Sequence, residues 1–125
     1  MRDYILVVDD DPDVRSLVVN MLKMMGMEGR KAINGEHALK LIDEHPPKVI
    51  VLDLIMPVMD GFLTLTKLQT SQRSRHIPII LMSALSGNEN HVKKLPGVIG
   101  VMPKSQFSID DFQLLLTQAG IARQR

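Results

Sequence analysis

Five side chains in this sequence have types and positions that could do chemistry together: Asp9, Asp10, Asp53, Ser83 and Lys104. Each stands at the end of an apolar run. Residues 4–8 lead into Asp9-Asp10, residues 49–52 into Asp53, residues 77–82 into Ser83, and residues 98–102 into Pro103-Lys104. Three carboxylates brought together repel one another, by roughly 4 kcal/mol per pair at about 4 Å and an effective dielectric near 20, so such a site needs a cation. With oxygen donors and no His or Cys in the set, a hard ion fits, and a shallow place at loop ends suits a partly hydrated Mg²⁺. Acids holding a cation beside a lysine and a hydroxyl form a pocket for phosphoryl oxygens. A carboxylate in that pocket can itself be the nucleophile, giving an acyl phosphate.

Positions so far apart in the chain meet only if the fold brings them to one place. The apolar runs are too short for helices and read as strands buried on both faces, with a weaker strand over residues 28–32 whose Arg30 and Lys31 mark it as near an edge. Between them lie helical patterns. Asp11 caps a helix that starts at Pro12 and carries Val14, Leu17, Val18, Met21, Leu22 and Met25 inward until Gly26 stops it. Asn34-Gly35 opens a second helix with Ala38, Leu41 and Ile42, closed by Pro46-Pro47. A third begins near Gly61, after the Asp60-Gly61 turn, with Phe62, Leu65 and Leu68 inward. A fourth, polar and short, carries Val92 and Leu95 before Pro96-Gly97. Ser108 caps the last, with Asp110 and Asp111 in its first turn and Phe112, Leu115, Leu116 and Ala119 inward. Five strands alternating with five helices imply a parallel sheet covered on both faces. In such a sheet the carboxyl ends of the strands share one edge, and Asp9, Asp10, Asp53, Ser83 and Lys104 all fall there.

Composition narrows the rest. A chain of 125 residues is one domain with a real core. A net charge of +1 gives no bulk electrostatic case for nucleic acid, and no apolar run reaches the length of a membrane span. The absence of cysteine removes disulfide and thiol chemistry and suits a reducing, cytoplasmic setting. His37, His45, His76 and His91 lack ligand spacing and read as surface residues. Asp9, Asp11 and Asp13 imitate the start of a calcium-binding EF-hand loop, but Val14 and Asn20 stand where that loop needs Gly and Glu. No Gly-rich phosphate loop follows the first strand, and Ile55 stands where an Asp-x-Asp phosphatase would want an acid.

Val7-Val8-Asp9-Asp10, Asp53 with Met56-Pro57 and Met59-Asp60-Gly61, Ser83-Ala84, and Lys104, in this order and at these separations, resemble the receiver domains of two-component response regulators along essentially the whole chain. The resemblance implies a flavodoxin-like (βα)5 three-layer α/β sandwich with a five-stranded parallel sheet in order 2-1-3-4-5, an order for which the flavodoxin-like receivers are themselves the standard example. It implies one receiver domain over residues 1–125, without an output domain in this stretch. It also implies that Asp53 accepts a phosphoryl group from a histidine kinase or phosphotransfer protein and passes the signal to a downstream effector. Asp10, Asp53 and the backbone carbonyl of Ile55 would bind Mg²⁺, with Asp9 helping through water. Ser83 would hydrogen-bond a phosphoryl oxygen, and Lys104 would pair with Asp53 or its phosphate.

Four features depart from the family pattern. Ser105 follows the lysine where Pro is usual, and Val101 stands where Tyr or Phe is usual. The helix after Ser83 is polar and ends at Pro96, and the stretch from Ser83 to Lys104 is about one residue shorter than usual. These departures give weight to an alternative from another class, a pseudo-receiver that binds partners without phosphate. The complete acid set favours the phosphorylated switch.

Overall fold

Strands with no polar face must be covered on both sides, and that requirement decides the architecture. The computed structural model describes residues 3–54, 61–83, 94–104 and 108–121, with Ser83 described by its backbone alone. In chain order the elements are β1 (Ile5–Val8), α1 (Pro12–Met24), β2 (Gly29–Ala32), α2 (Gly35–Glu44), β3 (Val49–Asp53), α3 (Gly61–Thr70), β4 (Ile79–Ser83), β5 (Val98–Pro103) and α4 (Ile109–Gln118). All neighbouring strands pair in parallel, in the order β2-β1-β3-β4-β5. This is the flavodoxin-like α/β sandwich, with β2 at the edge where Arg30 and Lys31 pointed.

Alternation along each strand splits the core into two layers. Leu6, Val8, Ile50, Leu52 and Leu81 pack with Ala38 and Ile42 of α2 and with Leu65 and Leu68 of α3. Ile5, Val7, Val49, Val51, Ile80 and Met82 pack on the other face with Val18, Met21, Leu22 and Met25 beside α1, and with Phe112 and Leu116 of α4. The centres of β1, β3 and β4 are essentially inaccessible to solvent, so the apolar area removed from water holds the sheet rigid beneath its edges.

Two inward assignments are corrected. Leu17 is 51% exposed and Phe62 is 47% exposed. Helix α1 buries Val18, Met21 and Leu22 and is followed by buried Met25, a spacing of one clean stripe that leaves Leu17 about one residue's rotation outside it. Helix α3 buries Gly61, Thr64, Leu65 and Leu68, because Gly61 itself faces the sheet. Its N–H donates to the Leu54 carbonyl at 2.9 Å, and an added Cβ would lie 2.2 Å from the Leu54 Cα. That contact sets the phase of the helix and turns Phe62 outward. The polar helix expected near residues 86–95 and the Lys104–Ser105 peptide bond fall wholly or largely outside the described residues. Ile55 does too.

Candidate functional site

Strands β1 and β3 are hydrogen-bonded neighbours with Val8 opposite Leu52, so the next residue on each, Asp9 and Asp53, arrive side by side at the carboxyl edge. Asp53 ends β3 at 1% exposure and Asp9 is fully buried, while Asp10 beside it is exposed. One carboxylate oxygen from each of the three lies within 4.8 Å of the others. On the far side, β5 ends at Pro103, and the Lys104 side chain that follows reaches back across the edge. Its Nζ lies 2.7 Å from Asp53 Oδ2 and 3.0 Å from Asp9 Oδ2.

Local structure fixes these groups. Asp11 is the N-cap of α1, its carboxylate accepting from the Asp13 N–H, and Pro12 occupies the first helical position. The cap holds the Asp11 N–H so that it donates to Asp9 Oδ1 at 2.9 Å. Behind Asp53, the close seat of Gly61 against the Asp53 carbonyl and Leu54 leaves no room for a side chain. The Asp9 carbonyl accepts from Arg15 Nη1 at 2.7 Å. Arg15 is a site residue that motif reading passed over. The signal was there in principle, since a helix capped two residues after Asp9 carries position 15 back over that carbonyl.

The electrostatics are unbalanced. Burial pushes the Asp9 carboxyl above its ordinary range. The Asp11 N–H and Lys104 oppose that shift, and the Asp53 charge adds to it. Burial would lower the Lys104 ammonium, but its hydrogen bond and charge interactions with Asp53 and Asp9 outweigh this and raise it. Among the described residues one lysine stands against three carboxylates, and Asp9 Oδ2 is buried with no directional hydrogen bond despite its ion pair. A donor set of oxygens only, with surplus negative charge and a buried oxygen that has an ion pair but no directional hydrogen bond, is suited to a hard divalent cation.

Residues 5–113 match the model of the response regulator receiver domain. The chain belongs to that family. This receiver is 38% identical over 120 residues to a protein-glutamate methylesterase/protein-glutamine glutaminase from Syntrophomonas wolfei, covering 87% of this chain and 32% of that relative. It therefore spans about a third of that protein's length. It is 30% identical to the structure of the Francisella response regulator 1452 receiver domain, with a TM-score of 0.81 over 94% of this chain and 96% of that one. The receiver domain of the sensor histidine kinase PA1611 from Pseudomonas aeruginosa, solved with a magnesium ion coordinated in its active-site cleft, shares the fold. It is 23% identical with a TM-score of 0.81, over 96% of this chain and 99% of that one.

As a receiver, the chain is a two-component signal-transduction module whose chemistry is its own phosphorylation and dephosphorylation. Of the residues singled out by sequence, the fold gathers Asp9, Asp10, Asp53 and Lys104 at one place. Ser83 ends β4 opposite Pro103, one residue beyond the Asp53–Met82 pair, so its backbone reaches the same edge. The Ile55 carbonyl lies outside the described residues.

Proposed function

We propose that Asp53 is the phosphoacceptor of this receiver and that Asp9, Asp10 and Asp53, with the Ile55 carbonyl, hold Mg²⁺. The observation that carries the reading is the meeting of three carboxylates within 4.8 Å under a single lysine 2.7 Å from Asp53. The donor phosphohistidine belongs to a histidine kinase or a phosphotransfer protein. An Asp53 carboxylate oxygen attacks phosphorus, an O–P bond forms as the N–P bond of the donor breaks, and the electron pair leaves with the imidazole. Mg²⁺, when bound, supplies positive charge against the carboxylates and the phosphoryl oxygens.

The chain's own groups do the rest. Lys104, already beside Asp53, stays charged throughout the physiological range and follows the negative charge onto the new phosphoryl group. Ser83, at the end of β4, donates its hydroxyl to a phosphoryl oxygen. The rigid sheet edge holds Asp53 in place for in-line attack, so little reorganisation accompanies transfer. Val101, packed against the core where an aromatic switch residue is usual, is too short to swing between two positions. Output therefore runs through backbone shifts near Ser83 and Lys104, toward a downstream effector. No helix among the described residues is long and apolar enough to cross a membrane, which fits a cytoplasmic setting.

The test is incubation with a small phosphodonor and Mg²⁺, followed by intact mass. One phosphoryl group per chain is expected, and none when a chelator replaces the metal. Phosphate uptake undiminished by the chelator would remove Mg²⁺ from the account. No uptake at all would favour the phosphate-independent binding module.

A further inference from the structure

Of the three clustered carboxylates, two are tied down and one is not. Asp53 is paired with Lys104 at 2.7 Å. Asp9 is held at both carboxylate oxygens, by the Asp11 N–H and by Lys104, and its backbone N–H donates to the Ala32 carbonyl at 3.3 Å. The exposed Asp10 carboxylate makes no hydrogen bond or ion pair among the described residues. Its direction is therefore set by its backbone, and the peptide plane joining Asp9 to Asp10 contains the Asp9 carbonyl. That carbonyl accepts the 2.7 Å hydrogen bond from Arg15 Nη1. A charged donor makes this one of the stronger bonds of the site.

The same guanidinium is otherwise poorly served. Arg15 Nε is buried without a hydrogen-bond partner among the described residues. An arginine placed for stability alone would satisfy that N–H, or stand in water where it costs nothing. Its position makes sense if the bond to the Asp9 carbonyl is what the site requires.

We propose that Arg15 is a positioning residue for the cation site, holding the Asp9–Asp10 peptide so that the free Asp10 carboxylate faces Asp9 and Asp53. This rests on the reading that those three acids take Mg²⁺. It also has a sign that electrostatics alone does not give. Arg15 is a permanent positive charge near a cation site, so its charge by itself opposes metal binding, and neutralising it would tighten the site. Positioning demands the reverse.

The experiment is calorimetric titration of the whole chain with magnesium chloride, alongside thermal melting in chelator. Arg15→Met should bind Mg²⁺ about tenfold more weakly, in line with the loss of an outer partner of a metal ligand, and Arg15→Lys, which keeps both donor and charge, should recover most of the affinity. Should Arg15→Met fail to fold, Arg15→Gln replaces it, being neutral and two bonds too short to reach the carbonyl, with the same expectation. Affinity unchanged or tighter in the neutral variant, with Asp10→Asn weakened, overturns the role of Arg15 and leaves the metal site standing. A lower melting temperature with unchanged affinity likewise assigns Arg15 to stability and overturns the proposal. If the unmodified chain binds no Mg²⁺, the metal reading falls and takes this inference with it.

Discussion

At the amino end of β1 the Tyr4 ring is 2% exposed, and every part of it is matched: its hydroxyl donates to the His45 carbonyl at 2.5 Å, its face stacks on the His45 ring at 5.6 Å, and the Arg30 guanidinium lies 4.7 Å from its centroid. At the carboxyl end of the same strand Asp9 is fully buried, yet Asp9 Oδ2 lacks a directional hydrogen bond and shares one lysine with a second buried acid. Both ends bury polar groups under the same sheet. One end satisfies them with neutral donors, stacked rings and a cation over a ring, as a fold does when stability is all that is asked. The other keeps like charges together and leaves them short of positive charge. The difference teaches where to look for function: at the end whose polar groups are buried but not settled.

The largest expected effect is at the unsettled end. Lys104→Met removes the ammonium that faces two buried carboxylates. It should lower the stability of the metal-free chain by about 3 kcal/mol near neutral pH, somewhat under the penalty for a fully buried pair because Lys104 keeps some solvent contact. The sign with pH follows from Asp9. Its folded pKa is raised, so its charged form costs stability above that pKa, and the cost is relieved as pH falls through it. Denaturant titrations should therefore show the Lys104→Met deficit shrinking in acid. A deficit that does not change with pH would mean the carboxylates are not its source.

At the settled end, Tyr4→Phe leaves the His45 carbonyl without its donor and should cost about 1.5 kcal/mol. Added Mg²⁺ should not change that difference, because the two ends are separated by the length of the strand. If Mg²⁺ rescues Tyr4→Phe but not Lys104→Met, the comparison between the ends is wrong. In the unmodified chain each tenfold excess of Mg²⁺ over its dissociation constant should add about 1.4 kcal/mol of stability, read as a shift in melting temperature. Asp10→Asn should shrink that shift and leave the metal-free melt unchanged or slightly higher, because Asp10 is exposed and untied and its charge adds only to the crowding with Asp9 and Asp53.

The smallest effect is alkaline. Burial leads in raising Tyr4 above 10.0, with Glu44 adding and Arg30 opposing; the two acids outweigh burial in raising Lys104 above 10.5. In both groups the folded state holds its proton longer than the unfolded chain. Stability is present below the ordinary values and is lost as pH rises through the raised ones. Tyr4→Phe and Lys104→Met should each remove part of this decline. A decline identical in both variants would place its origin elsewhere.

The reach of the sequence differs between these regions in the same way. Residues 49–52 and 5–8 lie in strands because nothing polar interrupts them, and a carboxylate following each is visible as a letter in the chain. The parallel order then follows from alternation, so Asp9, Asp10, Asp53 and Lys104 were all found together. Leu17 and Phe62 were misplaced because an apolar residue flanks each true stripe. Only the packing of Gly61 on Leu54, a backbone contact, sets the rotation of α3. Arg15 escaped because it touches a carbonyl rather than a side chain of the motif. The Tyr4, His45 and Arg30 stack escaped because it joins three separate stretches by ring geometry that has no sequence period.

The central claim is that the acyl phosphate of this receiver sits on Asp53. Peptide mapping by tandem mass spectrometry after reaction with a small phosphodonor and Mg²⁺ tests it most directly. The account predicts the phosphoryl group on Asp53 in the unmodified chain and no phosphorylated peptide in Asp53→Asn. Phosphate found on Asp9, Asp10 or Ser83 in the unmodified chain would contradict it.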